Sequence, residues 1–344
     1  MAETAPEKLT RKDFVSDQDV RWCPGCGDYG ILAQVQKVMP ELDVPREKMV
    51  FVSGIGCSSR FPYYMNTYGF HGIHGRAPAI ASGLKLARPE LTVWVVTGDG
   101  DGLSIGGNHL IHILRRNLDV NILLFNNEVY GLTKGQFSPT SRLGQITKSS
   151  PQGVVDHPFD AASVALGAGA TFVARTVDVE QKHLQSVIRR AAAHRGTSFV
   201  EILQNCPVYN DGPFASITDK GERTQNQLVL EQGAPLRFGP NGGLGIRLTK
   251  EMEPEVVSVV DTGEDELLVH DEGNRALASF LARLERPDFP VPLGVLHCRE
   301  RDVYEDLVYA QLGEAEGKGP DGKESGQAEL FDSLFASGDT WAVE

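Results

Sequence analysis

The fold is decided by residues 92–133, which read TVWVVTGDGDGLSIGGNHLIHILRRNLDVNILLFNNEVYGLT. The apolar run Thr92–Val96 stops at Gly98-Asp99-Gly100. A helix predicted over about Gly107–Arg116 leads to a second apolar run, Val120–Phe125, that stops at Asn126-Asn127. Apolar runs of this length on either side of a helix predict a strand–loop–helix–strand unit. Since ligands bind at the carboxyl ends of parallel strands, the polar residues there are the first candidates for a site.

These polar residues predict a site for a diphosphate. Glycines let the backbone approach phosphates closely, and the N–H groups at a helix start attract negative charge. One carboxylate and one amide oxygen suit Mg²⁺, which takes few protein ligands and completes its shell with substrate phosphates and water. The alternative is a doubly wound fold in which the glycine turn occurs by chance.

The spacing resembles the metal-binding motif of thiamine diphosphate enzymes. That motif pairs Gly-Asp-Gly with Asn-Asn, and here 25 residues separate Gly98-Asp99-Gly100 from Asn126-Asn127. The resemblance implies that Mg²⁺ is held by Asp99, Asn127 and the backbone carbonyl of Val129.

The five cysteines suggest a second cofactor. Cys23 and Cys26 form a C-x-x-C pair in WCPGCGD, which is compatible with half a zinc knuckle, a redox dithiol or a cluster site. Cys57 and Cys206 each follow a predicted strand, so they are expected at the same sheet edge as the diphosphate motif. Four thiolates converging there suit a [4Fe–4S] cluster. The alternative for Cys57 and Cys206 is burial as small apolar residues.

Together these segments resemble the β subunits of 2-oxoacid:ferredoxin oxidoreductases, and among them the 2-oxoglutarate type. The resemblance covers roughly residues 22–213 and rests on WCPGCGD, GIGCSSRFPYY, HGIHGRAPAIASGLKLA, GDGDGLSIGGNH, FNNEVYGLTKGQ and NCP. It implies that Cys23, Cys26, Cys57 and Cys206 hold the cluster. Cys298 matches no motif and is expected to be an ordinary thiol.

The resemblance also implies further site residues. Those expected to contact the cofactors are Ser58, Ser59, Gly75, Gly98, Gly100, Asp101, Gly131, Leu132 and Thr133. Arg60 is expected to bind the second carboxylate of 2-oxoglutarate, because a guanidinium pairs well with a carboxylate; the alternative is a surface arginine. His74 is expected to orient the cofactor or substrate and move protons; the alternative is a helix cap or a packing residue.

Composition bounds the remaining possibilities. The net charge of −13 and the lack of a basic patch disfavour nucleic acid as a partner. No apolar run reaches the ~20 residues that span a bilayer. No signal-peptide pattern occurs at the N-terminus, and unpaired cysteines fit a reducing compartment, so we expect a cytoplasmic protein without membrane contact.

The predicted organisation has three parts: an N-terminal arm (1–20), an α/β domain that binds thiamine diphosphate and the cluster (21–213), and an irregular C-terminal extension with an acidic tail (214–344). Alternating strands and helices predict a parallel sheet covered by helices, the thiamine diphosphate-binding fold. In the acidic tail, Phe331, Phe335 and Trp341 are candidate anchors for a partner, or part of a solvated tail.

The reaction implied by the resemblance converts 2-oxoglutarate, coenzyme A and oxidised ferredoxin to succinyl-CoA, carbon dioxide and reduced ferredoxin, and back. The pyrimidine-binding domain is expected on an α subunit, giving a heterotetramer. The alternatives are a non-redox thiamine diphosphate lyase or decarboxylase, pyruvate as the substrate, and an inactive scaffold subunit stapled by metal.

Overall fold

The computed structural model describes residues 9–316. The first eight residues of the arm and the tail residues Phe331, Phe335 and Trp341 lie outside this range. The described part of the arm packs against the body, because Phe14 is fully buried.

An eight-stranded sheet forms the centre of the molecule, in the order β2-β1-β3-β4-β6-β5-β11-β7. Strands β1 to β6 run parallel, whereas β11 lies antiparallel to β5 and carries β7 on its outer side. A small antiparallel sheet holds β10-β9-β8. The strands are β1 (Met49–Ser53), β2 (Tyr68–His71), β3 (Thr92–Gly98), β4 (Val120–Asn126), β5 (Phe172–Val177), β6 (Ser198–Leu203), β7 (Gln227–Val229), β8 (Arg237–Phe238), β9 (Leu244–Leu248), β10 (Pro254–Ser258) and β11 (Val291–Cys298).

Helices cover both faces of the large sheet. The helices are α1 (Asp28–Val38), α2 (Phe61–Tyr64), α3 (Ala77–Ala87), α4 (Asp99–Leu103), α5 (Gly107–Arg116), α6 (Ala161–Gly167), α7 (Gln181–Ala193), α8 (Ala215–Thr218), α9 (Arg223–Asn226), α10 (Val259–Thr262), α11 (Arg275–Ala282) and α12 (Tyr304–Glu316). Helices α1 and α7 pack together on one face, and α3 packs with α5 and α6 with α11 on the other. No helix in residues 9–316 combines the length and apolar character needed to cross a membrane.

The alternation along β3 shows how the sequence divides between two cores. Val93 and Val95 join the core on one side of the sheet, and Trp94 and Val96 join the core on the other. Because successive strand residues point to opposite faces, a strand that is apolar at every position must be covered on both sides. The covered parallel sheet predicted from the sequence is confirmed.

Residues 214–316 are more regular than the sequence indicates, and the expectation of an irregular extension is corrected here. Strand β11 enters the large sheet beside β5, and Leu228, Leu236 and Leu281 are buried in the core shared with α3 and α5. The apolar residues of this segment are widely spaced between polar loops, so they form no periodic pattern from which strands or helices could be predicted. The core formed by the α/β domain therefore continues past Pro213 into this segment.

Candidate functional site

A cavity of about 450 Å³ opens at the carboxyl ends of β1, β3 and β4. Most residues predicted from the diphosphate motif line it, which places both halves of the motif around one space. The predicted site residues in its wall are Cys57, Ser58, His74, Gly98, Asp99, Gly100, Asp101, Asn127, Val129, Gly131, Leu132 and Thr133.

Asp99 is the buried carboxylate of this cavity. It is 3% exposed, and its Oδ2 accepts hydrogen bonds from Ser138 Oγ at 2.5 Å and Thr140 Oγ1 at 2.8 Å. Burial raises the pKa of Asp99 to about 6 even though these two hydroxyls lower it. A cation beside the carboxylate would favour its charged form, so the residue fits a metal ligand.

Asn127 and Val129 lie across the cavity from Asp99, after β4. Asn127 Oδ1 accepts a hydrogen bond from Val129 N at 3.2 Å, and its Nδ2 donates to Gln204 Oε1 at 2.9 Å. Glu128, between them, has a φ of 55°, which is uncommon for a residue with a side chain. This tight turn brings Asn127 and the backbone of Val129 to the same wall, as a shared ligand set requires.

Asp101 is a fixed part of the wall. Its Oδ1 accepts hydrogen bonds from Gly75 N at 2.7 Å and Ile55 N at 3.0 Å, and its Oδ2 accepts one from Thr97 Oγ1 at 2.6 Å. The carboxylate therefore ties the loops after β1 and β2 to the end of β3. This geometry gives Asp101 a role in holding the wall of the cavity together, and its predicted contact with the cofactor stays a prediction.

His74 lies at the edge of the cavity, next to Asp101. Its Nδ1 is 2.8 Å from Asp101 Oδ1, although the two atoms are not aligned for a hydrogen bond. The imidazole is 36% exposed, so it remains accessible from the cavity side. A role in orienting a ligand or moving a proton is compatible with this position.

Arg60, Ser59 and Gly75 do not line the cavity. The 3₁₀ turn Ser58–Arg60 directs the guanidinium toward Tyr64, whose Oη accepts a hydrogen bond from Nε at 3.1 Å. Arg60 thus faces a separate surface groove, shared with Arg21 and Tyr63. Ser59 is fully buried, and Gly75 meets the site only through its N–H to Asp101.

Two of the four cysteines predicted to hold the cluster, Cys57 and Cys206, meet at the wall of the cavity. A Cβ placed on Gly131 would lie 3.5 Å from Cys57 Sγ and 3.6 Å from Cys206 Sγ, so both sulfurs approach one point of the cavity wall. The turn of Cys23 and Cys26 is closed by Cys26 N donating to Cys23 O at 3.1 Å.

Two hydrogen bonds hold that turn against the other two cysteines. Trp22 Nε1 donates to Cys57 O at 2.7 Å, and Gly27 N donates to Asn205 O at 3.2 Å, one residue before Cys206. One side-chain and one backbone hydrogen bond therefore connect the segment around Cys23 and Cys26 to the segments that carry Cys57 and Cys206.

The thiol pKa values of Cys26 and Cys57 respond to the charges of the other cysteines. Burial, and then the charge of Asp28, raise the pKa of Cys57 to about 12 and raise that of Cys26 further. Cys206 raises the pKa of both, Cys23 raises that of Cys57, and Cys57 raises that of Cys26. A nearby cation would favour the thiolate forms of the poorly solvated Cys26 and Cys57, so these two residues fit a site in which iron supplies positive charge.

No group of three or more His, Cys, Asp or Glu side chains within residues 9–316 is arranged to hold a single metal ion. The predicted cluster and Mg²⁺ sites both stay predictions. A four-iron cluster distributes its cysteines over separate irons, and the predicted Mg²⁺ site has only one carboxylate. Cys298 lies near His194 at the opposite edge of the sheet, at the end of antiparallel β11.

Several residues of the site were not predicted from the sequence. Ser138 and Thr140 belong to a long loop and gave no periodic signal, yet they bond Asp99. Tyr130 packs over Gly100 and donates from Oη to Gly100 O at 3.0 Å. Gln204, 1% exposed, contacts both Asn127 and Cys26. Only the position of Gln204 directly after a buried strand offered a hint.

Comparison with known proteins gives a consistent result. Residues 54–202 match the family model described as the thiamine pyrophosphate enzyme, C-terminal TPP binding domain. The chain is 52% identical to 2-oxoglutarate oxidoreductase subunit KorB of Mycobacterium tuberculosis over 344 residues, which cover 99% of this chain and 90% of that protein. It is 38% identical to 2-oxoglutarate synthase subunit KorB of Methanothermobacter thermautotrophicus, over 74% of this chain and 82% of that one.

A solved structure is similar over nearly the whole chain. This is a chain of 2-oxoglutarate:ferredoxin oxidoreductase from Magnetococcus marinus with 2-oxoglutarate, coenzyme A and succinyl-CoA bound. The TM-score is 0.75 at 32% identity, over 96% of this chain and 97% of that chain. The likeness therefore extends to residues beyond the stretch that carries the motifs.

Proposed function

Because the chain belongs to the family of 2-oxoacid:ferredoxin oxidoreductase β subunits, we propose that it is the thiamine diphosphate-binding subunit of a 2-oxoglutarate:ferredoxin oxidoreductase. The reaction converts 2-oxoglutarate, coenzyme A and two oxidised ferredoxins to succinyl-CoA, carbon dioxide and two reduced ferredoxins, and it can run in either direction. The observation that carries the proposal is the cavity with Asp99 and Asn127 in its wall and the sulfurs of Cys57 and Cys206 against Gly131 of the same wall.

Asp99, Asn127 and the carbonyl of Val129 would hold Mg²⁺, which in turn would hold the diphosphate of the cofactor. Gly98, Gly100 and Gly131 lie in the wall of the same cavity. Asp101 keeps the loops after β1 and β2 in place around the cavity through its four polar contacts. When bound, thiamine diphosphate supplies the carbon that reacts with the keto group of the 2-oxoacid and accepts its electrons.

Cys23, Cys26, Cys57 and Cys206 would hold one [4Fe–4S] cluster. Cys57 itself lines the cavity, and the Cys206 sulfur lies against Gly131 of the same wall. This placement supports electron transfer from the cofactor to the cluster over a short distance, and from there to ferredoxin.

Two side chains are proposed to act on the substrate. Arg60 would bind the distal carboxylate of 2-oxoglutarate, which requires the guanidinium to leave Tyr64 and turn from its groove toward the substrate. His74 would orient the substrate or relay a proton at the edge of the cavity.

The exposed apolar rim supports a partner subunit. Ile55 and Leu132 line the cavity, and Ile73, Tyr68 and Phe70 are exposed nearby or on the edge strand β2. Exposed apolar groups of this kind are commonly buried in subunit interfaces. We propose that an α subunit carrying the pyrimidine-binding domain covers this rim and completes the active site.

The test is an assay of the purified αβ complex with 2-oxoglutarate, coenzyme A, thiamine diphosphate and Mg²⁺. We expect substrate-dependent reduction of ferredoxin that requires coenzyme A and disappears in the Asp99→Ala variant. Carbon dioxide release without any electron acceptor would support a non-redox decarboxylase instead. Turnover of pyruvate in preference to 2-oxoglutarate would contradict the substrate assignment.

A further inference from the structure

Gln204 connects the two proposed cofactor sites. Its side-chain oxygen Oε1 accepts a hydrogen bond from Asn127 Nδ2 at 2.9 Å, and its Nε2 donates to Cys26 Sγ at 3.3 Å. Nε2 also donates to Asn205 O at 2.8 Å. The side chain is 1% exposed, so water does not compete for these contacts.

The orientation of this amide is determined by its neighbours. A backbone carbonyl can only accept a hydrogen bond, so the NH₂ group of Gln204 must face Asn205 O. Its oxygen therefore faces Asn127, and Asn127 must present its own NH₂ group to it. As a result Asn127 Oδ1 is directed to the other side, where it accepts from Val129 N. The Asn127 oxygen is the atom that the proposed Mg²⁺ site needs.

The same amide places an N–H against a proposed cluster ligand. Hydrogen bonds to cysteine sulfurs are among the factors that set the reduction potential of an iron–sulfur cluster, because they stabilise the more negative, reduced state. Groups that orient metal ligands influence affinity as well. Cys26 Sγ receives this bond from a side chain whose other end holds a ligand of the second cofactor.

We propose that Gln204 is a positioning residue for both cofactors. It holds Asn127 in the orientation that directs its oxygen to Mg²⁺, and it raises the reduction potential of the cluster through its bond to Cys26. This inference rests on the proposed function, since it assumes a cluster on the four cysteines and Mg²⁺ at Asp99 and Asn127.

Two substitutions separate the two roles, because they remove different bonds. Gln204→Leu removes the acceptor and the donor. Gln204→Glu keeps an acceptor for Asn127 but loses the donor to Cys26 and adds negative charge. Both variants are made in the full αβ complex and compared at pH 8 for iron content, for the cluster midpoint potential by redox titration followed by electron paramagnetic resonance, and for thiamine diphosphate affinity at saturating Mg²⁺.

We expect a more negative midpoint potential in both variants. Loss of one neutral hydrogen bond, worth roughly 0.5–1.5 kcal/mol, should weaken thiamine diphosphate binding in Gln204→Leu about 2- to 12-fold. In Gln204→Glu the affinity should stay within about twofold of wild type, because Asn127 keeps its partner. Thr176→Val is the matched control: it replaces a buried hydroxyl on β5 that contacts His183 and no cysteine, and should leave the potential unchanged.

The outcomes distinguish the inference from the proposed function. Wild-type complex without iron would overturn both. Iron-loaded Gln204 variants with a wild-type potential would overturn the inference alone. If Gln204→Leu assembles no cluster, the uncharged variant Gln204→Met, which keeps the length of the side chain but has no N–H donor, decides: a more negative potential supports the inference, and an unchanged one overturns it.

Discussion

Ser138 Oγ donates a 2.5 Å hydrogen bond to Asp99 Oδ2, across 39 residues of sequence. Thr140 bonds the same oxygen, so neither hydroxyl occupies Oδ1. Both hydroxyls come from the loop that follows Val129. The loop therefore holds the carboxylate in the cavity wall through Oδ2, and the first prediction follows from this arrangement.

Replacing the two proposed Mg²⁺ ligands should abolish cofactor retention. We expect Asp99→Ala and Asn127→Ala to lose Mg²⁺-dependent binding of thiamine diphosphate while the circular dichroism spectrum of the complex is kept. Calorimetric titration with and without Mg²⁺ is the measurement. Asp156→Ala, an exposed carboxylate in the same loop region, is the control. Full occupancy in the Asp99 or Asn127 variant would refute the assignment.

The cysteine variants should divide into two classes. Cys23→Ser, Cys26→Ser, Cys57→Ser and Cys206→Ser are expected to lose most of the iron, whereas Cys298→Ser should retain all of it. Cys298 lies at the opposite edge of the sheet, near His194. Iron and sulfide analysis of each complex is the check. Unchanged iron in Cys206→Ser, or lost iron in Cys298→Ser, would contradict the proposed ligand set.

Arg60→Met should discriminate between substrates. A charge-assisted contact is worth ~1.5–3 kcal/mol, so its loss should reduce kcat/KM for 2-oxoglutarate roughly 10- to 150-fold. Pyruvate and 2-oxobutyrate lack the distal carboxylate and should be affected much less. Arg21→Met, in the same groove, controls for general loss of positive charge. An equal loss on all three substrates would exclude a role in specificity.

Two glycines near the cavity should respond differently to alanine. A Cβ on Gly100 would lie 2.2 Å from the Tyr130 ring, whereas one on Gly107 would meet nothing within 4 Å. Gly100→Ala should therefore displace Tyr130 and weaken thiamine diphosphate binding at least tenfold. Gly107→Ala, within helix α5, should bind normally and gain up to ~1 kcal/mol of stability. Equal affinities in the two variants would show that the Tyr130 contact is unimportant.

Stability should depend on His183 at mildly acidic pH. Burial lowers the pKa of His183 below its ordinary 6.5, and Thr176 Oγ1 lies 2.8 Å from its Nδ1. The unfolded chain binds the proton more readily, so this contribution is present above pH 6.5 and is lost as the pH falls toward the folded-state pKa. The unfolding midpoint of His183→Gln, measured from pH 5 to 8, should show a smaller loss on acidification than wild type. Parallel curves would contradict this.

The sequence predicted those parts of the molecule that follow from local periodicity. Helix α5 begins and ends where the sequence pattern indicates, and strands β3 and β4 begin at the predicted residues Thr92 and Val120, because buried strands and amphipathic helices have a characteristic spacing of apolar residues. The short edge strand β2 was missed because all four of its residues are exposed and carry no apolar alternation.

Long-range polar contacts were beyond prediction from the sequence. Nothing local distinguishes Ser138 from other serines of its loop, and the three hydrogen bonds that Asp101 accepts depend on how the loops after β1 and β2 meet. Arg60 shows the converse. Its neighbourhood in sequence pointed to the cavity, yet the turn that contains it directs the side chain to Tyr64.

The order of the strands has a consequence for biosynthesis. Every residue proposed to hold a cofactor precedes residue 207, and β1 to β6 are neighbours without any later segment between them. At about 5–20 residues per second, the ribosome needs roughly 7–28 s to add residues 207–344. During that interval strands β1 to β6 are already synthesised, but β5 has no partner on its outer edge until β11 is made. The proposed cluster ligands are therefore all available on the nascent chain before β11 exists, and the open β5 edge is the surface that a chaperone would have to protect.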